Sequence, residues 1–178
     1  MPYQTERLND EYHAIREHIG AADLSALNSL DQLYAKVLVI SSGSEFEALV
    51  SEIMEKFALA GAKVPEITTL IQRKAIDRQY FQNFAWDAKN INKFLSLFGG
   101  RVSEMFELKL AAGELSKENV LDFIQMNGRR NELVHRNFAA ASADLTPEEA
   151  IAKFRSAVRV CDVLDAVLSQ ATLEVVTE

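Results

Sequence analysis

The sequence predicts an all-α protein, an antiparallel helical bundle of about six helices. Three observations predict it. Apolar residues recur at three- and four-residue spacings through most of the chain, and no stretch keeps the period-two alternation of a strand. Pro2, Pro65 and Pro147 all lie at the edges of periodic segments, so nothing between residues 66 and 146 forbids long helices. Helix-start signals stand where the periodicity resumes.

A first helix is expected over residues 4–18. The second runs from Leu24 to Ala60, as one helix or two collinear ones, with a weak point at Ser41-Ser42-Gly43-Ser44. Helices near 66–82, 87–98 and 101–112 follow, and Gly99-Gly100 separates the last two. Ser116-Lys117-Glu118-Asn119 opens a further helix, with apolar positions at Val120, Phe123, Ile124, Leu133 and Val134. Thr146-Pro147-Glu148-Glu149 opens the last one more clearly. Thr is the N-cap, Pro the first-turn residue and Glu the reciprocal partner of a capping box. Along that helix Ala150, Phe154, Ala157, Val158, Cys161, Leu164 and Leu168 mark one face. No repeat or low-complexity tract breaks the pattern, so one domain is expected over residues 1–178, with its core in about 25–170.

Composition removes many functions. At 178 residues, 48% hydrophobic and 25% charged, the chain can bury a real core. No apolar run approaches the roughly 18 residues of a membrane span. The opening MPYQTERLND carries charges where a signal peptide needs an apolar stretch, so a cytoplasmic protein is expected. One cysteine, Cys161, permits neither an internal disulfide nor a cysteine-rich metal site. The only histidines are His13, His18 and His135, without a zinc-protease spacing or an acidic calcium loop, so no metal is expected. Without a phosphate-binding glycine loop, a dinucleotide fingerprint or a nucleophile elbow, no cofactor is expected either.

The net charge of −7 argues against indiscriminate nucleic-acid binding, but its distribution is uneven. Residues 1–60 hold ten acids and four bases, residues 61–110 five acids and eight bases, and residues 111–178 eleven acids and seven bases. Within the last third, Arg129, Arg130 and Arg136 gather around a single acid, Glu132. They belong to the segment from Met126 to Phe138, an unusual one for a helix interior. Asn127, Asn131 and His135 share one face at i, i+4, i+8. Gly128 costs a helix about 1 kcal/mol relative to Ala, which points to close approach of another backbone. A stripe of two amides and an imidazole, flanked by guanidiniums, suits an oligonucleotide phosphate. Arg129, Arg136 and Asn127 are the candidate RNA contacts.

The run Arg130-Asn131-Glu132-Leu133-Val134-His135 resembles the signature of the HEPN superfamily, particularly its RiboL-PSP-type members. In that family an Arg, a polar residue, three to five further residues and a His lie on a late helix. The likeness extends to Phe46–Val50 on the second helix, to Asn90–Leu95 before Phe98-Gly99, and to the helix after the motif, roughly residues 25–170. Some relatives carry Tyr two residues after the His, where this chain has Asn137. The resemblance implies a helical homodimer acting as a metal-independent endoribonuclease, in toxin or phage-defence settings and with a neutralising partner protein. It implies that His135 activates the ribose 2′-hydroxyl or protonates the leaving oxygen, that Arg130 stabilises the phosphorane, and that Asn131 positions the phosphate or His135. Glu47 matches an acidic position of the family's second-helix segment, as a possible accessory acid.

Arg130 and His135 are five residues apart, about 140° around an ideal helix. One straight helix does not aim both at one phosphate unless the Arg side chain bends round or a partner subunit completes the site. The function that the resemblance implies is RNA cleavage to a 2′,3′-cyclic phosphate, and the geometry is consistent with a dimer. The alternatives are a non-catalytic module of the same type that binds RNA or a protein, and a purely structural dimerisation bundle. Tyr80, Phe81, Phe84 and Trp86 are read as core and dimer packing, with base stacking as the other possibility.

Overall fold

The computed structural model describes residues 3–20, 23–62, 64–136 and 138–176, of which 174–176 by backbone alone. The described residues form an all-α bundle without strands. Its elements are α1 (Gln4–Ile19), α2 (Leu24–Gly61), α3 (Pro65–Ile71), α4 (Tyr80–Asn83), α5 (Asn92–Leu95), α6 (Gly100–Ala111), α7 (Lys117–His135) and α8 (Pro147–Val176). A π-helical turn at Gln72–Ile76 continues α3, and a 3₁₀ turn at Ser96–Phe98 continues α5.

The architecture rests on three helices. α8 packs along both α2 and α7, α2 and α7 meet each other, and α1 closes the side of α2. Phe46 of α2, Phe123 of α7 and Phe154 of α8 are fully buried where these helices converge. Phe46 lies 5.2 Å from the Phe123 ring and 5.5 Å from the Phe154 ring. All seven residues expected on the apolar face of α8 are buried, and Ile151, Val160, Val163 and Val167 join them because α8 has neighbours on several sides.

Local chemistry sets the starts of the three longest helices. Asp23 accepts from the Ala26 N–H at 2.9 Å and caps α2. At α8 the expected capping box is complete: Glu149 N–H donates to Thr146 Oγ1 at 3.1 Å, and Thr146 N–H donates to Glu149 Oε2 at 2.8 Å. Ser116 and Asn119 make the same reciprocal pair at α7. Such caps each contribute about 1 kcal/mol.

One open alternative is decided and two expectations need correction. α2 is a single helix of 38 residues, unbroken at Ser41–Ser44. Ser42 Oγ donates to the Leu38 carbonyl at 2.6 Å, Ser41 Oγ meets Thr5 Oγ1 of α1, and Gly43 is buried under Arg130 of α7. The small residues let two neighbours approach. The helix expected over 66–82 instead widens at Gln72–Ile76 and breaks at 77–79. Ile71 and Ile76 would sit about 140° apart on an α-helix; the wider turn lets Ile71 pack on the core while Ile76 is buried. The helix expected over 87–98 begins only at Asn92. Asn90 Oδ1 accepts from the Asn92 N–H at 3.0 Å, a local bond that competes with helix. The result is eight α-helical segments among the described residues, two of them single turns, rather than about six.

Candidate active site on the motif helix

α7 carries the whole Arg130–His135 segment, and its register gives each residue a different environment. Phe123, Ile124, Met126, Asn127 and Leu133 are buried against α2 and α8. Gln125, Glu132 and His135 face outward, and Arg130 and Asn131 lie at the boundary.

Arg130 is the most constrained cation of the segment. Its side chain crosses α2 directly over Gly43, so closely that a Cβ there would lie 2.7 Å from Arg130 Cγ. Beyond that crossing the guanidinium lies over the Phe81 ring, 4.3 Å from its centroid, and pairs with Glu47 at 3.7 Å. Only 18% of the Arg130 side chain is exposed, and its Nε is buried with no hydrogen-bond partner among the described residues. A buried donor left unpaired costs about 1–3 kcal/mol. α2, α4 and α7 thus fix one guanidinium through a close contact, a ring face and a carboxylate.

His135 ends α7 and is exposed, with no side-chain hydrogen bond among the described residues. Asn131, half-buried one turn earlier, likewise keeps its amide free of such bonds. Arg136 is exposed; its backbone N–H closes the helix on the Glu132 carbonyl at 2.9 Å. Asn137 lies outside the described residues. The connection from α7 to α8 folds back on the helix. Lys36 Nζ donates to the Phe138 carbonyl at 3.0 Å, and Arg129 donates to the Ala143 carbonyl at 2.7 Å, with Asp144 at 3.7 Å.

Two residues read as RNA contacts are therefore engaged inside the protein. Arg129 holds the connection to α8. Asn127 is fully buried, its Oδ1 accepting from the Tyr80 hydroxyl at 3.0 Å and its Nδ2 donating to the Phe123 carbonyl at 2.9 Å. Burial pushes the Tyr80 hydroxyl well above its ordinary pKa, so it remains a proton donor to Asn127. The close backbone approach expected at Gly128 is not found among the described residues: a Cβ there would lie an ordinary 3.9 Å from the Trp86 carbonyl.

The aromatic group between α4 and α5 is core. Phe84 stacks on Phe94 at 4.5 Å and on Trp86 at 4.8 Å, and Trp86 Nε1 donates to the Phe81 carbonyl at 2.9 Å. Phe81 and Gly43 are the functional neighbours that the sequence reading did not assign to Arg130. The glycine inside an otherwise strong helix was the available signal. His13 and His18 are exposed on α1, far in sequence from the cluster, and Cys161 is buried with burial pushing its thiol up. No group of three or more His, Cys, Asp or Glu side chains positioned to hold a metal occurs among the described residues. No helix among them is long and apolar enough to cross a membrane.

The family model described as RiboL-PSP-HEPN matches residues 6–170, from the start of α1 almost to the end of α8. No curated protein matches the chain, and no solved structure does.

Proposed function

The chain belongs to the RiboL-PSP-HEPN family, and from that premise we propose that it is a metal-independent endoribonuclease. The observation that carries the reading is Arg130: a guanidinium held on Phe81, loosely paired with Glu47 and keeping a buried N–H unpaired, five residues before an exposed histidine. A fixed cation of this kind stabilises charge that develops in a transition state, because no reorganisation is needed as the charge appears. His135 is the proton-transfer group.

In the proposed reaction the ribose 2′-oxygen attacks the adjacent phosphorus and gives up its proton. The bond from phosphorus to the 5′-oxygen breaks, and that oxygen leaves protonated. The products are a 2′,3′-cyclic phosphate and a 5′-hydroxyl. His135 handles one of these protons, Arg130 faces the equatorial oxygens, and the free amide of Asn131 orients the phosphate. Glu47 is a positioning residue that steers Arg130. Arg136, exposed beside His135, is retained as a phosphate contact. Asn127, buried and doubly bonded, is assigned instead to holding α7 against α4, and Arg129 to holding the connection that follows the motif.

Arg130 is directed toward α2 and α4 of its own protomer, whereas His135 stands exposed at the end of α7. The pair therefore fits a composite site, in which two copies bring their motif helices together and complete one another. Family membership supports a role as the toxic or effector member of a toxin–antitoxin or phage-defence pair, neutralised by a partner protein.

The test compares the parent with His135→Ala and Arg130→Ala on a single-stranded RNA in excess EDTA. Each variant is expected to lose on the order of a hundredfold or more in cleavage rate while staying folded. Products should carry cyclic-phosphate ends. Arg7→Ala and His13→Ala repeat the bare Arg–His spacing on α1 and should cleave like the parent. Activity that disappears with chelator and returns with Mg²⁺ overturns the mechanism. A folded His135→Ala protein that binds RNA and arrests growth as the parent does makes the chain a non-catalytic binding module.

A further inference from the structure

We propose that Arg73 and Arg78, on the wide turn before α4, hold the backbone of a single-stranded RNA on its way to Arg130; this rests on the ribonuclease reading above. Four observations carry it. Both arginines are exposed, and neither forms an ion pair among the described residues of a chain whose net charge is −7. Elsewhere Arg16, Arg155, Lys153 and Lys109 are each matched with an acid.

The turn itself is unusual. Asp77 N–H reaches back five residues to the Gln72 carbonyl at 2.8 Å, closing a π-type turn of a kind that recurs at functional sites. Arg73 follows the acceptor of that bond and Arg78 follows its donor, so their backbones leave the same closed turn. Buried Ile76 and Tyr80 anchor it from below, and Asn83 Nδ2 clamps the Ala75 carbonyl at 3.1 Å.

Arg78 also sits at φ +59°, in the left-handed region. Glycine or asparagine would occupy that position with less strain, so the turn alone gives no reason for an arginine. Strain of this kind persists where the side chain is used.

Finally, the turn connects directly to the site. Three residues after Arg78, Phe81 carries the Arg130 guanidinium on its ring, and Tyr80 hydrogen-bonds Asn127 of α7. Three residues of chain span no more than about 11 Å, so the Arg78 backbone lies within that distance of the residue that carries the Arg130 guanidinium. A flexible single strand is able to follow the exposed Arg73 and Arg78 toward Arg130.

The experiment measures binding of a fluorescent single-stranded oligouridylate across a salt series. His135→Ala serves as the non-cleaving background, with and without Arg73→Gln and Arg78→Gly. The double substitution is expected to weaken binding about tenfold at low salt and to flatten the slope of log K against log salt by about 0.7 per lost contact. Arg78→Gly relieves the left-handed backbone, so its melting temperature should hold or rise while RNA binding falls. Unchanged affinity and slope overturn the proposal, as does a fall in melting temperature with affinity intact.

Cleavage by the same substitutions with His135 present separates this proposal from the one it rests on. If RNA binds through Arg73 and Arg78 but no preparation cleaves it, the ribonuclease reading fails and the track stands. If the double variant cleaves with the parent's kcat/KM, the track fails and the ribonuclease stands.

Discussion

Gly43→Ala adds a single methyl group at the crossing of α2 and α7, and its effect follows from the packing there. The new Cβ would lie 2.7 Å from Arg130 Cγ and 2.9 Å from Arg130 Cβ. Carbon atoms in good contact sit roughly 3.5–4.0 Å apart, so about 0.8 Å must be found. Rotating the Arg130 side chain moves Cγ but leaves Cβ where it is. The helices must therefore separate, and Arg130 must shift relative to Phe81 and Glu47. Two contributions oppose each other. Alanine in a helix interior gains about 1 kcal/mol over glycine. Overpacking a close contact costs about 1–3 kcal/mol. The net expectation is a destabilisation of up to about 2 kcal/mol, read from urea titration, with RNA cleavage reduced at least tenfold because the guanidinium has moved. Gly61→Ala is the control, since nothing lies within 4 Å of a Cβ there; it should be neutral or slightly stabilising and fully active. A Gly43→Ala protein that is about 1 kcal/mol more stable than the parent and equally active would refute the argument.

The remaining predictions concern the supports of the site. Tyr80→Phe leaves the buried Asn127 Oδ1 without its donor and should cost about 1–2 kcal/mol in urea titration. Light scattering after size exclusion should report a dimer at micromolar concentration, and a monomer throughout that range would remove the composite site. The hydrogen bond from Arg155 holds the Glu6 carboxyl below its ordinary pKa of 4.5. Its contribution is fully present above about pH 4.5 and is lost as the pH falls through the lowered value. Glu6→Gln should therefore flatten that acid limb of stability against pH, by no more than about 1 kcal/mol for so exposed a pair.

Helix identity was legible wherever local chemistry decides it. The Thr146–Glu149 box, the Ser116–Asn119 start and the apolar face from Ala150 to Leu168 needed no information beyond neighbouring residues. What sequence could not supply was long-range. Gly43 reads locally as a weak helix residue, and only the passage of Arg130, 87 positions later, makes it the point of closest approach. In the segment from Gln72 to Ile91 the buried residues Ile76, Tyr80, Phe84 and Ile91 fall within about 80° of one another on an ideal α-helix, so the local pattern favours a regular helix. The backbone is irregular all the same, with a wide turn at Gln72–Ile76, Arg78 in the left-handed region and an irregular connection before α5, none of which the apolar pattern announces.

The motif helix shows the same limit on a smaller scale. Asn127, Asn131 and His135 share one face by spacing, and the sequence presents them as equivalent members of a polar stripe. They are not equivalent, because a stripe along a helix is only as accessible as the neighbours along its length allow. At Asn127 the side chain is fully buried, and its amide closes a hydrogen-bonded link to Tyr80 of α4. One turn on, Asn131 is half-buried; after a second turn, His135 is exposed at the helix end. Arg130 leaves the stripe sideways and is captured by α2 and Phe81. Under the proposed function that gradient divides the roles: the buried end of the stripe links α7 to α4, and the exposed end is where a substrate would be met. It also accounts for why the arginine and the histidine of one motif look in different directions, the geometry that a second copy of the chain would resolve.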